Sequence, residues 1–144
     1  MVAAYENEGD QPSKRYRYTH GFAPVSYTEN AQHYSVHRDH LDTPKRITNS
    51  QGGTVWEAML SPYGLASVNA DPDGDGVELA FNLRFPGQYR DQESLLHYNL
   101  NRIYDPAQER YTTSDPTGIL GGYNMYAYAD SNPTECSPSM GSPI

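Results

Sequence analysis

Turn-forming sequences recur at short intervals between residues 83 and 133 and divide that stretch into segments too short for ordinary helices. The turn signals are Pro-Gly, Asp-Pro, Asp-Pro-Thr-Gly, Gly-Gly and Asn-Pro. Apolar and polar residues alternate between them, as in the strands of antiparallel hairpins. We therefore predict a mainly β fold, an antiparallel hairpin meander that ends in an irregular, wound C-terminal plug.

Tyrosine is the residue that makes a folded core plausible in this chain. Leu, Ile, Val and Phe account for only 22 of the 144 residues, and the net charge is −8, which approaches the composition of disordered chains. The 13 tyrosines can fill a core with ring area while keeping a polar tip. We expect a disordered N-terminal tail over 1–14, one folded domain over 15–133 and a Pro/Ser-rich tail over 134–144.

Strand faces follow from the alternation. In the segment 79–85 the apolar residues Leu79, Phe81, Leu83 and Phe85 fall on one face of a predicted strand. A second strand is predicted over 96–104. We expect its packed face to carry Leu96, Tyr98, Leu100 and Tyr104, and its wet face His97, Asn99 and Asn101.

Several classes of protein are disfavoured by simple counts. The single cysteine, Cys136, allows no intrachain disulfide. The acidic balance argues against nonspecific nucleic-acid binding, which needs basic residues to neutralise phosphates. No apolar run approaches the ~18 residues of a transmembrane helix. The first ten residues lack the features of a signal peptide, so we expect the chain to be cytoplasmic as encoded.

A series of motifs runs through residues 15–133: HRDHLDTP at 37–44, WEAMLSPYG at 56–64, NLRFPGQY at 82–89, LHYN at 96–99, RIYDP at 102–106, DPTG at 115–118 and GGYNMYAY at 121–128. In this order they resemble the RHS repeat-associated core domain, the C-terminal end of the YD-repeat shell in bacterial RHS toxins and in the C component of Tc toxins. The resemblance implies β-hairpin repeats that spiral into a hollow shell around a C-terminal toxin. It also implies export by specialised secretion systems or display on the cell surface.

The resemblance assigns structural roles within the shell hairpins and turns to a set of motif residues. They are His37, Asp39, His40, Pro44, Trp56, Arg84, Pro86, Gly87, Tyr98, Tyr104, Asp105, Pro116, Gly118, Gly121, Gly122, Asn124, Tyr126, Tyr128 and Pro133.

Many members of the family cut themselves from their toxin as aspartyl-type autoproteases, through two Asp-Pro-x-Gly motifs separated by eighteen residues. Asp115-Pro116-Thr117-Gly118 fits the first motif, but Ser137 stands where the second Asp belongs and Met140 where its Gly belongs. An aspartyl mechanism needs two carboxylates that share a proton, and a serine hydroxyl cannot replace one of them. No spacing supports Asp105 or Asp130 as the missing partner. We therefore expect no enzymatic activity, with a residual autoprotease as the alternative.

Metal binding is a second alternative. Asp71, Asp73 and Asp75 occupy positions 1, 3 and 5 of a calcium-loop pattern with Gly76 at position 6, but position 12 is Asn82 instead of Glu. A solvated acidic loop and a weak calcium site, in a surface or binding module, both remain open. Zinc binding by His33, His37 and His40 is disfavoured because His37 and His40 point to opposite faces of an extended strand.

Departures from the family pattern concentrate at glycines. Asp42, Leu95 and Glu109 stand where the family usually has Gly in a turn. If these turns keep positive φ, each substitution costs on the order of 1 kcal/mol.

The leading hypothesis is a non-catalytic structural fragment of a toxin-encapsulating shell, a core domain without upstream repeats or C-terminal toxin. Such a fragment leaves sheet edges exposed. We expect these edges to pair with another RHS-repeat shell protein or with a second copy of the chain.

Overall fold

The computed structural model describes residues 5–8, 11–19, 22–115, 124–129 and 132–133. These residues form an almost entirely antiparallel β structure, which confirms the predicted fold class. The predicted C-terminal plug and the tail over 134–144 lie largely outside the described residues. The described strands are β1 (Tyr5–Glu8), β2 (Gln11–Tyr18), β3 (Pro24–Glu29), β4 (Gln32–Arg38), β5 (Pro44–Thr48), β6 (Thr54–Leu60), β7 (Ala66–Asn69), β8 (Gln88–Arg90), β9 (His97–Asn99), β10 (Arg102–Asp105) and β11 (Arg110–Tyr111).

The chain divides into two compact units. The first comprises Met1–His40, Pro44–Met59 and Ser67–Ala80, and the second comprises Leu41–Thr43, Leu60–Ala66 and Phe81–Ile144. The first unit holds nearly all of a seven-stranded sheet in which the strands follow one another in chain order, β1 to β7. The second holds a four-stranded sheet in the order β11-β10-β9-β8.

Strands β1 and β2 include residues 5–8 and 11–14 of the segment expected to be a tail. In β2, Lys14 and Tyr16 are buried and Arg15 and Arg17 are exposed, so the strand alternates between its two faces. Lys14 is only 4% exposed. Its ammonium group donates to the carbonyl of Ala80 and lies 3.6 Å from Glu29 Oε1. A lysine stem can pack like an apolar side chain when its charged end finds partners.

The hairpins of the first unit agree with the sequence pattern. Val36 in β4 pairs with Ile47 in β5, and Ile47 pairs with Trp56 in β6. Ile47 and Trp56 are among the most buried side chains, with 0% and 1% exposure. The predicted loop between β5 and β6 is closed by Asn49, whose Oδ1 accepts hydrogen bonds from the backbone N–H groups of Gln51 and Gly53. The meander predicted over these strands is therefore confirmed.

Aromatic rings fill both cores. In the first unit, Tyr27 stacks on Tyr34 with ring centroids 4.9 Å apart. In the second, Phe85, Tyr104, Tyr111, Tyr128 and Ala129 form one buried cluster. The rings of Tyr104 and Tyr128 have centroids 4.2 Å apart, so tyrosine contributes the ring area that the aliphatic residues do not supply.

The predicted strand over 96–104 is two strands, β9 and β10. Tyr104 is buried as predicted, but the face assignment was wrong over residues 97–100. The chain turns at residues 100 and 101, so Tyr104 pairs with His97. His97 and Asn99 are buried at 2% and 0% exposure, whereas Tyr98 and Leu100 are 54% and 56% exposed. Polar side chains occupy the inner face because other buried polar groups bind them there.

The predicted strand over 79–85 is also corrected. Of this segment, only Leu83 takes part in β pairing, through an isolated bridge with Tyr89. The chain instead bends at Gly87, which has a φ of 81°, and Arg84 N–H donates to Gln88 O at 3.1 Å. Leu79, Phe81 and Phe85 are buried nonetheless. The apolar pattern therefore predicted correctly that these side chains are buried, although the segment is not a strand.

Candidate functional site

Asp115, the residue matching the family's cleavage motif, forms a buried ion pair. Arg102, at the start of β10, places Nη1 3.2 Å from Asp115 Oδ2, and both side chains are at most 2% exposed. The same Nη1 donates to the carbonyl of Met125 at 3.2 Å. That carbonyl also accepts the backbone N–H of Asp115 at 2.9 Å. Arg102, Asp115 and Met125 thus form a three-way clamp.

Tyr111 completes this arrangement. The guanidinium carbon of Arg102 lies 3.5 Å from the centre of the Tyr111 ring, a cation–π contact. Asn99 Nδ2 donates to the Tyr111 hydroxyl at 2.9 Å. Burial raises the pKa of Tyr111, and the charge of Arg102 opposes this shift. The Tyr111 N–H donates to Tyr126 O at 3.0 Å, so the strip 124–129 is bound along β10 and β11.

The chemistry open to this site is limited by its charges. An aspartyl protease needs two carboxylates that share a proton, whereas the Asp115 carboxylate is paired with the guanidinium of Arg102. Ser137, which stands in the partner's position, lies outside the described residues, as does Asp130. Asp105 is not part of this ion pair. Its Oδ1 accepts hydrogen bonds from the backbone N–H groups of Ala107 and Gln108 at 2.9 and 3.2 Å. It shapes the turn between β10 and β11.

A second polar row crosses the sheet of the second unit. His97 Nδ1 and Gln88 Oε1 are 2.9 Å apart, and Gln88 Nε2 donates to the Tyr128 hydroxyl at 3.2 Å. Burial lowers the pKa of His97 to about 4, with further lowering by the charges of Arg84 and Arg90. Burial likewise lowers the pKa of Arg84 to about 10, again with a contribution from Arg90. His97 is therefore a neutral hydrogen-bonding residue of the core.

The acidic loop brings its three carboxylates together. Oxygen atoms of Asp71, Asp73 and Asp75 all lie within 4.8 Å of one another, the one such group among the described residues. Asp71 also accepts the backbone N–H groups of Asp75 and Gly76, each at 3.1 Å. Desolvation raises the pKa of Asp73, and the charge of Asp75 raises it further.

The histidines considered for zinc are used in other ways. His37 Nε2 lies 3.0 Å from Thr48 Oγ1, and Asp39 lies 3.6 Å from Lys45 Nζ. His33 and His40 are exposed.

The remaining motif residues fall into three groups. Pro44, Trp56, Arg84, Tyr104, Tyr128 and Pro133 are buried. Pro86 and Gly87 are half-buried, and Asn124, Tyr98 and Tyr126 are exposed. Pro116, Gly118, Gly121 and Gly122 lie outside the described residues.

Sequence reasoning missed the inward-facing polar residues. Lys14, Gln88, His97, Asn99 and Arg102 are each less than 5% exposed. A signal for two of them was present, because an Asn-Leu-Asn sequence between two alternating segments is typical of a turn. A turn at 100–101 would have assigned His97 and Asn99 to the face of Tyr104.

Comparison with known proteins agrees with this fold. The chain is 38% identical over 102 residues to the Escherichia coli K12 protein YibJ, covering 71% of the chain and 42% of YibJ. It is 38% identical over 98 residues to the toxin protein Tse5 of Pseudomonas aeruginosa, covering 68% of the chain and 7% of Tse5. It is 48% identical over 109 residues to RhsB of Dickeya dadantii, named as a probable deoxyribonuclease, covering 64% of the chain and 7% of RhsB. No protein-family model matches.

Among solved structures, the crystal structure of TcdB2-TccC3 without its hypervariable C-terminal region superposes with a TM-score of 0.72 at 22% identity. The match covers 92% of the present chain and 7% of the TcdB2-TccC3 chain. The fold is thus that of an antiparallel β segment of a much longer chain. The chain is related to Rhs- and Tc-type toxin proteins, which confirms the resemblance found in its sequence. It spans about two fifths of YibJ and a small fraction of the toxins.

Proposed function

We propose that the chain is a structural, non-catalytic piece of the β shell of an Rhs- or Tc-type toxin protein. The observation that carries the proposal is the state of Asp115. Its carboxylate is buried against Arg102, and Ser137 replaces the second aspartate of the cleavage motif. Arg102 and Asp115 bind the strip 124–129 to the hairpin of β10 and β11. These contacts support a structural role for Arg102 and Asp115.

Intact-mass spectrometry tests the absence of catalysis. The purified chain is incubated at neutral and mildly acidic pH and examined over time for a new terminus near Met140. We expect the mass to stay unchanged. Asp115→Asn is the matched control, since it removes the remaining carboxylate of the motif. A cut near Met140 that occurs in the parent chain and disappears in Asp115→Asn would establish the autoprotease instead.

A second proposal concerns the acidic loop, and the closeness of its three carboxylates favours it. We propose that the loop binds calcium weakly, because three carboxylates are present but the bidentate Glu of a full loop is not. Calcium should then raise the melting temperature slightly, and Asp73→Ala should remove the effect. Glu93→Ala, at an exposed carboxylate in the second unit, should leave it unchanged. If calcium changes the melting temperatures of the parent chain, Asp73→Ala and Glu93→Ala equally, the loop is a solvated loop without a calcium site.

A further inference from the structure

A cavity of about 610 Å³ lies on the seven-stranded sheet and is lined by residues of β4, β5, β6 and β7. Its volume falls in the usual range of ligand-binding sites, ~300–1,000 Å³. We call it the basic concavity and define it by Arg38, Lys45, Arg46, Glu57, Met59 and Val68. All six belong to the first unit.

The charge of the basic concavity is opposite to that of the chain. Three of the ten Lys and Arg residues line it, although Arg38 Nη1 also donates to Ala23 O at 3.5 Å. Glu57 is the one carboxylate among the described lining residues. The lining is therefore positive in a chain whose net charge is −8. Charges separated by more than ~8 Å are largely screened at physiological salt, so a ligand seated here is attracted by the local cations.

The register of the strands fixes where these charges sit. Arg46 in β5 lies directly opposite His37 in β4 on one side and opposite Glu57 in β6 on the other. Directly opposed side chains on neighbouring strands are ~5 Å apart. Arg46 is exposed, so its guanidinium is available to a ligand beside a single carboxylate.

Lys45 adds a second cation. Its Nζ lies 3.6 Å from Asp39 Oδ2, and these side chains are 37% and 24% exposed. A partly exposed pair of this kind contributes little to stability, so a carboxylate of a ligand can replace Asp39 at low cost.

Apolar surface accompanies the cations. Met59 is 78% exposed and Val68 is 40% exposed, both on the wall of the cavity. A flexible methionine adapts to differently shaped apolar partners.

We propose that the basic concavity binds an acidic polypeptide segment, with carboxylates on Arg46 and Lys45 and an apolar side chain against Met59 and Val68. Separated cations interspersed with apolar side chains suit a peptide better than a phosphate, which prefers several donors converging on one point. A long nucleic acid would extend beyond the concavity over an acidic protein. The inference does not depend on the shell role.

Fluorescence anisotropy with the full chain tests the proposal. The probe is a fluorescein-labelled peptide in which glutamate alternates with valine, and the comparison peptide has lysine in place of glutamate. We expect saturable binding of the glutamate peptide alone, weakened by added salt. Arg46→Glu should weaken binding by on the order of tenfold or more, because it turns an attraction into a repulsion. Glu57→Gln should strengthen it, since it removes a repulsion.

Arg110→Glu is the matched control, because it changes the net charge equally at an exposed arginine of the second unit. It should bind the glutamate peptide like the parent chain. Equal weakening by Arg46→Glu and Arg110→Glu would overturn the proposal. So would displacement of the labelled probe by inorganic phosphate or single-stranded DNA as effective as displacement by the unlabelled glutamate peptide. Thermal melts of each variant separate a lost site from a lost fold.

Discussion

Asp42, Leu95 and Glu109 have φ angles of 61°, 64° and 59°. These are the three positions where the sequence departs from family glycines, and the turns keep positive φ at each of them. The left-handed region places Cβ close to the backbone carbonyl of the same turn, and glycine avoids this contact. The chain therefore keeps the turn geometry expected of its family while carrying side chains that strain it.

Restoring glycine at Asp42, Leu95 and Glu109 should stabilise the protein. Relief of the left-handed strain, largest at Leu95 and smallest at Asp42, should outweigh the entropy that glycine adds to the unfolded chain. Well-separated sites add, so the triple variant should gain up to about 3 kcal/mol. The melting temperature should rise by on the order of 10 °C. Differential scanning calorimetry measures this gain. Glu93→Gly, in the same turn as Leu95 but without a positive φ, should lower the melting temperature. A triple variant no more stable than the parent would contradict the strained turns.

Stability should fall on mild acidification because of His97. Its pKa is about 4 in the folded protein and 6.5 when unperturbed. Between these pH values the unfolded chain binds a proton at His97 that the folded chain does not bind. The contribution of His97 to the free energy of unfolding is therefore fully present above pH ~6.5 and is lost as the pH falls towards 4. The loss from this residue should be about 1 kcal/mol at pH ~5.5 and on the order of 3 kcal/mol in full.

Urea unfolding at several pH values measures the His97 contribution. His97→Gln should be less stable at pH ~7.5, where the native hydrogen bond to Gln88 is made, but should lose less stability on acidification. The exposed His33→Gln serves as the control and should follow the parent chain. Parallel pH profiles for His97→Gln and the parent would show that His97 is not the titrating group.

At the scale of elements, the strip 124–129 is bound to β10 and β11 through the clamp of Arg102, Asp115 and Met125. A buried charge that loses its partner is costly, because neither water nor a counter-charge replaces it. The clamp thus couples one hairpin to a segment that lies thirteen residues beyond its last strand residue, Tyr111.

Arg102→Leu should destabilise the protein by ~3–5 kcal/mol, because it leaves the Asp115 carboxylate buried beside a leucine. The double variant Arg102→Leu, Asp115→Asn should recover part of this loss by removing the unpaired charge. Arg110→Leu, at an exposed arginine of β11, should change stability by no more than ~0.5 kcal/mol. Urea unfolding gives all three values. Equal effects of Arg102→Leu and Arg110→Leu would exclude the clamp.

At the scale of the whole molecule, each sheet ends in strands that have one neighbour within the sheet. In the four-stranded sheet the end strands β11 and β8 are already partly paired, because the Tyr111 N–H donates to Tyr126 O and Tyr89 forms a bridge with Leu83. The seven-stranded sheet ends at β1 and β7. Backbone groups along such edges are templates for pairing with another strand.

No helix in the described part of the chain is long and apolar enough to cross a membrane.

We expect the purified chain to self-associate, increasingly so at higher concentration. Size-exclusion chromatography with light scattering measures the mass. Val68→Lys places a charge on the edge strand β7, where Val68 is 40% exposed, and should reduce association. Val77→Lys, at a 66% exposed position outside the strands, should not. A monodisperse monomer at every concentration would contradict the prediction.

The fold class and the hairpins of β4, β5 and β6 were predictable from local properties, namely alternation, turn residues and spacing. The three turns without glycine and the incomplete cleavage motif were found through the resemblance to the family. Which polar residues lie inside depends on contacts between distant parts of the chain. Lys14, His97 and Arg102 are buried because distant groups, Ala80, Gln88 and Asp115, satisfy them there, and no local pattern records such partners. The basic concavity likewise exists only because strand register places Arg46 between His37 and Glu57.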